Sequence, residues 1–160
     1  MTRNVTIANR LREVFLNGNW IANTNYKEQI QNINWQQATQ KVGNLNTIAA
    51  LTYHVNYYLA GLLNSFKTGK LEISDKYSFD LPPINSEKDW TKLVTDILDN
   101  AEKFAVKVEQ MEDNIFDKPF IDEKYGTVLR NIEAVIEHSY YHLGQISLIR
   151  KMITQNYRMY

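Results

Sequence analysis

The stretch Gly126-Thr-Val-Leu-Arg-Asn-Ile-Glu-Ala-Val-Ile-Glu-His-Ser-Tyr-Tyr-His-Leu-Gly-Gln-Ile-Ser-Leu-Ile-Arg-Lys-Met-Ile153 decides how the chain is read. Val128, Leu129, Ile132, Val135, Ile136, Leu143, Ile146, Ile149 and Ile153 recur at helical intervals, so the spacing predicts one long helix with a buried face. His138 and His142 interrupt that face. At roughly 100° per residue, a spacing of four brings both imidazoles to within about 40° of one line on the helix surface. Val128, Ile132 and Val135 lead up to them on nearly the same stripe, which aims both rings inward. A buried imidazole needs a partner for each ring nitrogen. Two readings stay open at this point: core histidines satisfied by backbone carbonyls, or a pair that shares one ligand.

Three further long helices are predicted along the rest of the chain. Ile7, Leu11, Val14 and Phe15 share a face of a first helix from about residue 4 to 17, stopped by Asn17-Gly18. Asn19 to Asn25 is a polar connector carrying Trp20 and Ile21, and Asn25 caps a short helical piece from Tyr26 to Ile33. Trp35 to Val42 is ambiguous, and Gly43-Asn44 reads as a turn. With Asn46 at the N-cap, a second long helix runs from Thr47 to Phe66 and stops at Lys67-Thr-Gly69. Its stripe is Ile48, Leu51, Val55, Leu59, Leu62 and Phe66, and His54 lies beside it, three residues after Leu51. Lys70 to Asn85 contains Pro82-Pro83 and cannot be helix interior. A connection of that length permits two successive helices of a bundle to run parallel. Ser86 caps the third long helix, with Asp89 as a shorter stand-in for a capping-box glutamate, and Trp90 to Met111 carries its apolar face. Glu112 to Tyr125 returns the chain to the opening stretch. The fold expected is therefore all-α, a four-helix bundle with a long crossover between helices two and three, as one domain over residues 1–160.

Composition narrows the function. The 160 residues suffice for one core without staples. Eighteen basic residues balance 18 acidic ones along the chain, so the footprint of a nucleic-acid binder is missing. No apolar run approaches the about 20 residues of a membrane span, and Met1-Thr-Arg-Asn opens an amphipathic segment rather than a signal peptide, so no membrane partner and a cytoplasmic location are expected. Cysteine is absent, so a metal site would have to use His, Asp, Glu or backbone oxygen.

The chain has three histidines, and all of them fall on core-side positions of long helices. Three neutral imidazoles at about 2.0 to 2.1 Å, with a position left for water or substrate, suit a catalytic divalent metal; structural zinc is usually closed by four protein ligands. Glu137 lies about 100° from His138 around the helix and should face away.

Leu51-Thr-Tyr-His54 and His138-Ser-Tyr-Tyr-His142-Leu-Gly-Gln-Ile146, with its element His-x-x-x-His-x-Gly-Gln-Ile, resemble the DinB-like family of metalloenzymes. Gly18-Asn19-Trp20 is a further local likeness, and helix spacing and length agree over nearly the whole chain. The resemblance implies a four-helix bundle in which His54, His138 and His142 bind a divalent metal, usually zinc or nickel, in an open site. It also implies a homodimer, and the thiol-dependent transfer or isomerisation of characterised relatives, in which a low-molecular-weight thiol such as bacillithiol or mycothiol attacks a small electrophile.

Two chemistries follow from a metal with a free position. A coordinated thiol is deprotonated, and a coordinated water can fall toward a pKa of about 7 and serve a hydrolase; the sequence offers no dedicated base, which favours the thiol. Gln145, three residues after His142, and Tyr58, four after His54, are candidate cofactor-binding residues on the same helices, each weighed against plain solvation or packing. Tyr141 sits on the same flank, and Trp20 and Trp35 are read as packing on the bundle end or as a lid. The opposing class is a metal-stabilised binding or dimerisation module without turnover, which the mixed charges of the helix faces and the Tyr157-Arg-Met-Tyr160 tail fit equally well.

Overall fold

Every regular element in the computed structural model, which describes residues 2–155, is helical. Helix α1 (Arg3–Arg12) runs without a break into one π-helical turn, Glu13–Asn17. Two short helices follow, α2 (Tyr26–Ile30) and α3 (Trp35–Thr39), then α4 (Ile48–Thr68), α5 (Glu87–Glu109) and α6 (Val128–Thr154). Among the described residues there is no strand, and no helix is long and apolar enough to cross a membrane. The Tyr157–Tyr160 tail lies outside the described residues.

Local chemistry accounts for the boundaries. The side chains of Asn25, Ser86 and Thr127 accept from the third backbone N–H of α2, α5 and α6. At α4 the cap is Thr47, accepting from Ala50 N, not Asn46; adjacent residues that both cap well leave the register of a start undecided in sequence. Asp89 accepts from Asn85 N and Ser86 Oγ, which closes the start of α5. The ambiguous segment after Ile33 is α3, held by a complete capping box between Asn34 and Gln37. Gly69 ends α4 in the left-handed conformation, φ 69°, that a Cβ would strain.

Helix α5 packs along both α1 and α4, α4 lies against α6, and α2 rests on α6 and on the π turn. Phe15, Tyr26, Trp90, Phe104 and Phe116 are the largest side chains sealed in the core. The two with polar atoms are satisfied: Trp90 Nε1 donates to Ile33 O at 3.0 Å and the Tyr26 hydroxyl to Ser139 O at 2.9 Å. Arg12 reaches across to Glu102 and Glu109 at 3.0 and 2.8 Å, tying α1 to α5.

The connection from α4 to α5 matters most for the site. It doubles back along α4, where Ile73 lies against Gly61 so closely that a Cβ there would meet Ile73 Cγ2 at 2.4 Å. The Tyr57 hydroxyl donates to Ser74 O and accepts from Ser74 N, both at 3.0 Å, and the Tyr58 hydroxyl donates to Asp75 Oδ1 at 2.9 Å. Thus the residues that follow, Ser78 and Phe79, are delivered to the face of α4 that carries His54.

Candidate metal centre

His54 comes from the middle of α4, and His138 and His142 from successive turns of α6, where α4 and α6 pack together. His54 and His142 are each 7% exposed, and His138 is half-buried. The three rings converge: His138 Nε2 lies 3.1 Å from His54 Nε2 and 3.0 Å from His142 Nε2, and one ligating atom from each residue falls within 4.8 Å of the others. Two ligands at about 2.0 to 2.1 Å and a right angle on one ion would stand about 3 Å apart.

The outer nitrogens fix the protonation pattern. His142 Nδ1 donates to Gln145 Oε1 at 2.7 Å, and His54 Nδ1 donates to the carbonyl of Ser78 at 3.3 Å. Both acceptors can only accept, so each neutral ring carries its proton on Nδ1 and presents a bare Nε2 lone pair inward. Those two lone pairs meet at His138 Nε2, which has one in-plane valence to offer and satisfies one of them at most. A cation at the convergence would serve all three. The outward partners are of the kind that orients histidine ligands in metal sites.

Electrostatics agree with three neutral rings. Burial pushes His138 down to about 4, helped by the adjacent His142 and His54. His54 is lowered by burial and by His142, against the opposing pull of the Ser78 carbonyl and Asp75. Burial also lowers His142, opposed by its bond to Gln145. Neutral imidazoles are what a metal requires. The histidine group can therefore hold a metal ion.

Aromatic rings frame the centre. Phe79 stacks on His54, 4.0 Å between centroids at 14°, and Tyr58 sets its edge against both His54 and His138 at 5.1 and 5.3 Å. Burial raises the Tyr58 phenol, which stays protonated at neutral pH and keeps its bond to Asp75. Tyr141 lies edge-on to His142 at 4.9 Å but is 65% exposed. Glu137 turns outward to Arg130 at 2.9 Å. Trp35 is half-buried against the core, whereas Trp20 is 89% exposed, contrary to its reading as packed on the bundle end.

Sequence reasoning passed over Ser78 and Phe79. The aromatic in Asp75-Lys-Tyr-Ser-Phe-Asp80 was a usable signal; the Ser78 carbonyl, being main chain, leaves none.

Open space adjoins the centre on one side, where a groove of about 290 Å³ runs between α4 and α6 along Tyr58, Leu62, Val135 and His138. A larger one of about 440 Å³ lies on the α4–α5 flank along Leu63, Phe66 and Val106, with no histidine in its walls. Comparison of the chain with family models, with curated proteins and with solved structures gives no match. What the centre can do therefore rests on its own atoms.

Proposed function

We propose that the chain is a DinB-like protein, its long helices forming a four-helix bundle with the Lys70–Asn85 connection as crossover, and that His54, His138 and His142 hold one divalent metal, zinc or nickel, for chemistry on a small molecule. The observation that carries this reading is the convergence of three Nε2 atoms, two of them with lone pairs fixed inward by Gln145 and by the Ser78 carbonyl. The motif His138-x-x-x-His142-x-Gly144-Gln145-Ile146 supports the family.

A divalent ion bound there would acidify a thiol or water at its remaining positions and so supply a nucleophile at neutral pH. The chain's own contribution is placement. Gln145 and the Ser78 carbonyl hold two rings in one tautomer, Phe79 covers the face of His54, and half-buried His138 marks the side from which a reactant arrives. No carboxylate is among the clustered ligating groups, which favours a thiol, needing no separate base, over hydrolysis.

Metal analysis of protein purified without a His-tag tests the centre. About one equivalent of zinc or nickel is expected, or restoration of it by added ion, with loss in His54→Ala; metal far below one equivalent that neither ion restores refutes it. Turnover is tested with a low-molecular-weight thiol and 1-chloro-2,4-dinitrobenzene. The thiol sulfur replaces chloride on the ring, releasing chloride and a proton, at a rate that exceeds that of His54→Ala.

A further inference from the structure

We infer that the groove between the C-terminal ends of α4 and α5 is a binding site for a small amphipathic anion, a fatty carboxylate with its chain on an apolar floor and its head among three lysines. The assignment is independent of the histidine centre. Leu63 lies nine residues beyond His54, about 13.5 Å along α4 at Cα level, and a cation at the centre would in any case attract an anion.

The floor is apolar and preformed. Leu63 is buried, and Phe66 and Val106 are half-buried along the groove. The Phe66 ring is braced by Phe104 and Phe120, at 5.6 and 5.7 Å between centroids. At about 440 Å³ the groove falls within the roughly 300–1,000 Å³ of small-molecule sites. A protein partner would call on about 20–30 residues of this face, whereas eight line the groove.

The rim supplies the sign. Lys103 and Lys107 stand one turn apart on α5 and so share a face, and Lys67 borders the same groove from α4. Among the described residues none of the three is paired with a carboxylate. The acidic residue of the groove, Glu102, has both oxygens on Arg12 Nε, at 3.1 and 3.3 Å, and Arg12 also holds Glu109 at 2.8 Å. That cluster nets one negative charge against three positive ones at the rim. Lys67 and Lys107 lie in the last turns of their helices, where the macrodipole favours a cation without any ligand. Lys103 lies outside the last turn, and the dipole does not account for an open apolar floor among the three ammonium groups. Phosphate recognition draws on the backbone N–H groups of helix N-termini. These helix ends present carbonyls instead, which favours a carboxylate head.

The experiment titrates the full chain with octanoate, 1-octanol, octylammonium and octyl phosphate and follows amide NMR. A Kd of roughly 1 mM is expected for octanoate, with shifts centred on Leu63, Phe66, Lys103 and Val106. Octanol and octylammonium should bind at least about fivefold more weakly. Hexanoate should lose up to about 15-fold, since each buried CH₂ is worth about fourfold. Raising salt from about 0.01 to about 0.1 M shortens the Debye length from about 30 to about 10 Å; octanoate should weaken several-fold and octanol should not. Lys67→Glu combined with Lys103→Glu, both at exposed positions, should abolish the preference for octanoate over octylammonium. Shifts in this groove with that dependence on sign, salt and chain length uphold the assignment. It is overturned by absence of octanoate shifts at tens of millimolar, by shifts centred elsewhere, by octanol binding as tightly, or by octyl phosphate binding more tightly. Shifts of the same amides on concentrating the ligand-free chain would seat a second copy there and overturn it too. The salt and chain-length arms use the native chain and decide the matter even where the charge-reversed variant fails to fold.

Discussion

Replacing Gln145 by leucine removes one hydrogen bond and little volume, and the effect should appear in metal affinity. In the native arrangement His142 Nδ1–H donates to Gln145 Oε1 at 2.7 Å, which holds the Nε2 lone pair inward. A metal drawn onto Nε2 makes that N–H more acidic, so a bond worth about 1 kcal/mol in the metal-free chain behaves as one to a charged group and gains about 1–2 kcal/mol. At about 1.4 kcal/mol per decade this gain is roughly a 5- to 25-fold rise in Kd for zinc, overlapping the range known for lost partners of histidine ligands. Zinc affinity would be measured by competition with a chromophoric chelator, with thermal unfolding of the metal-free protein as control. Gln145→Glu keeps an acceptor at the same reach and should bind zinc at least as tightly as the native chain. A folded Gln145→Leu protein with Kd within threefold of native would refute the reasoning, as would Gln145→Glu binding as weakly as Gln145→Leu.

Two further outcomes are expected. His138 is held at about 4, below the roughly 6.5 of an unfolded histidine, and His54 and His142 shift the same way. Between those values the unfolded chain binds more protons than the folded one. Stability of the metal-free protein is therefore complete above about pH 6.5 and is lost as pH falls toward about 4. Denaturant midpoints should decline from pH 7 to 5, above the range where carboxylates protonate, and His138→Gln should flatten the decline; an unchanged slope in that variant counts against it. At Gly61 an added Cβ would meet Ile73 Cγ2 at 2.4 Å and Cδ1 at 2.9 Å, so Gly61→Ala should destabilise by about 1–3 kcal/mol, less about 1 kcal/mol of helix propensity. Ile73→Ala should cost less in that background than alone, and strictly additive effects would show that the contact does not govern the loop.

The long helices and the histidines were readable because both depend on spacing: apolar residues at helical intervals must face a core, and His138 and His142 share that face. Gln145 was readable as a polar residue one turn from His142, but its partner, the outer nitrogen of that ring, was not, since spacing fixes proximity and not which atoms meet. Trp20 misled because a large aromatic ring next to a helix end is ordinarily covered, and here it stands in solvent. The role of Ser78 was invisible for a different reason. Its carbonyl reaches His54 only because Tyr57, Tyr58 and Gly61 set the path of the loop, a relation among residues 12 to 24 positions apart that no local pattern encodes.

That loop path has a mechanical consequence. The anchors Tyr57 and Tyr58 sit on the same helix as His54, so α4, the loop and the His54 ring move as one piece. His138, His142 and Gln145 belong to about two turns of α6 and move as another. Separation of the two pieces would part the rings along a single seam without turning any of them out of alignment. An ion held across it would be a rivet between residues 84 apart in the chain, and its binding free energy would add to the resistance of α4 and α6 to coming apart. The centre would then be a fastener of the fold as well as a place for chemistry.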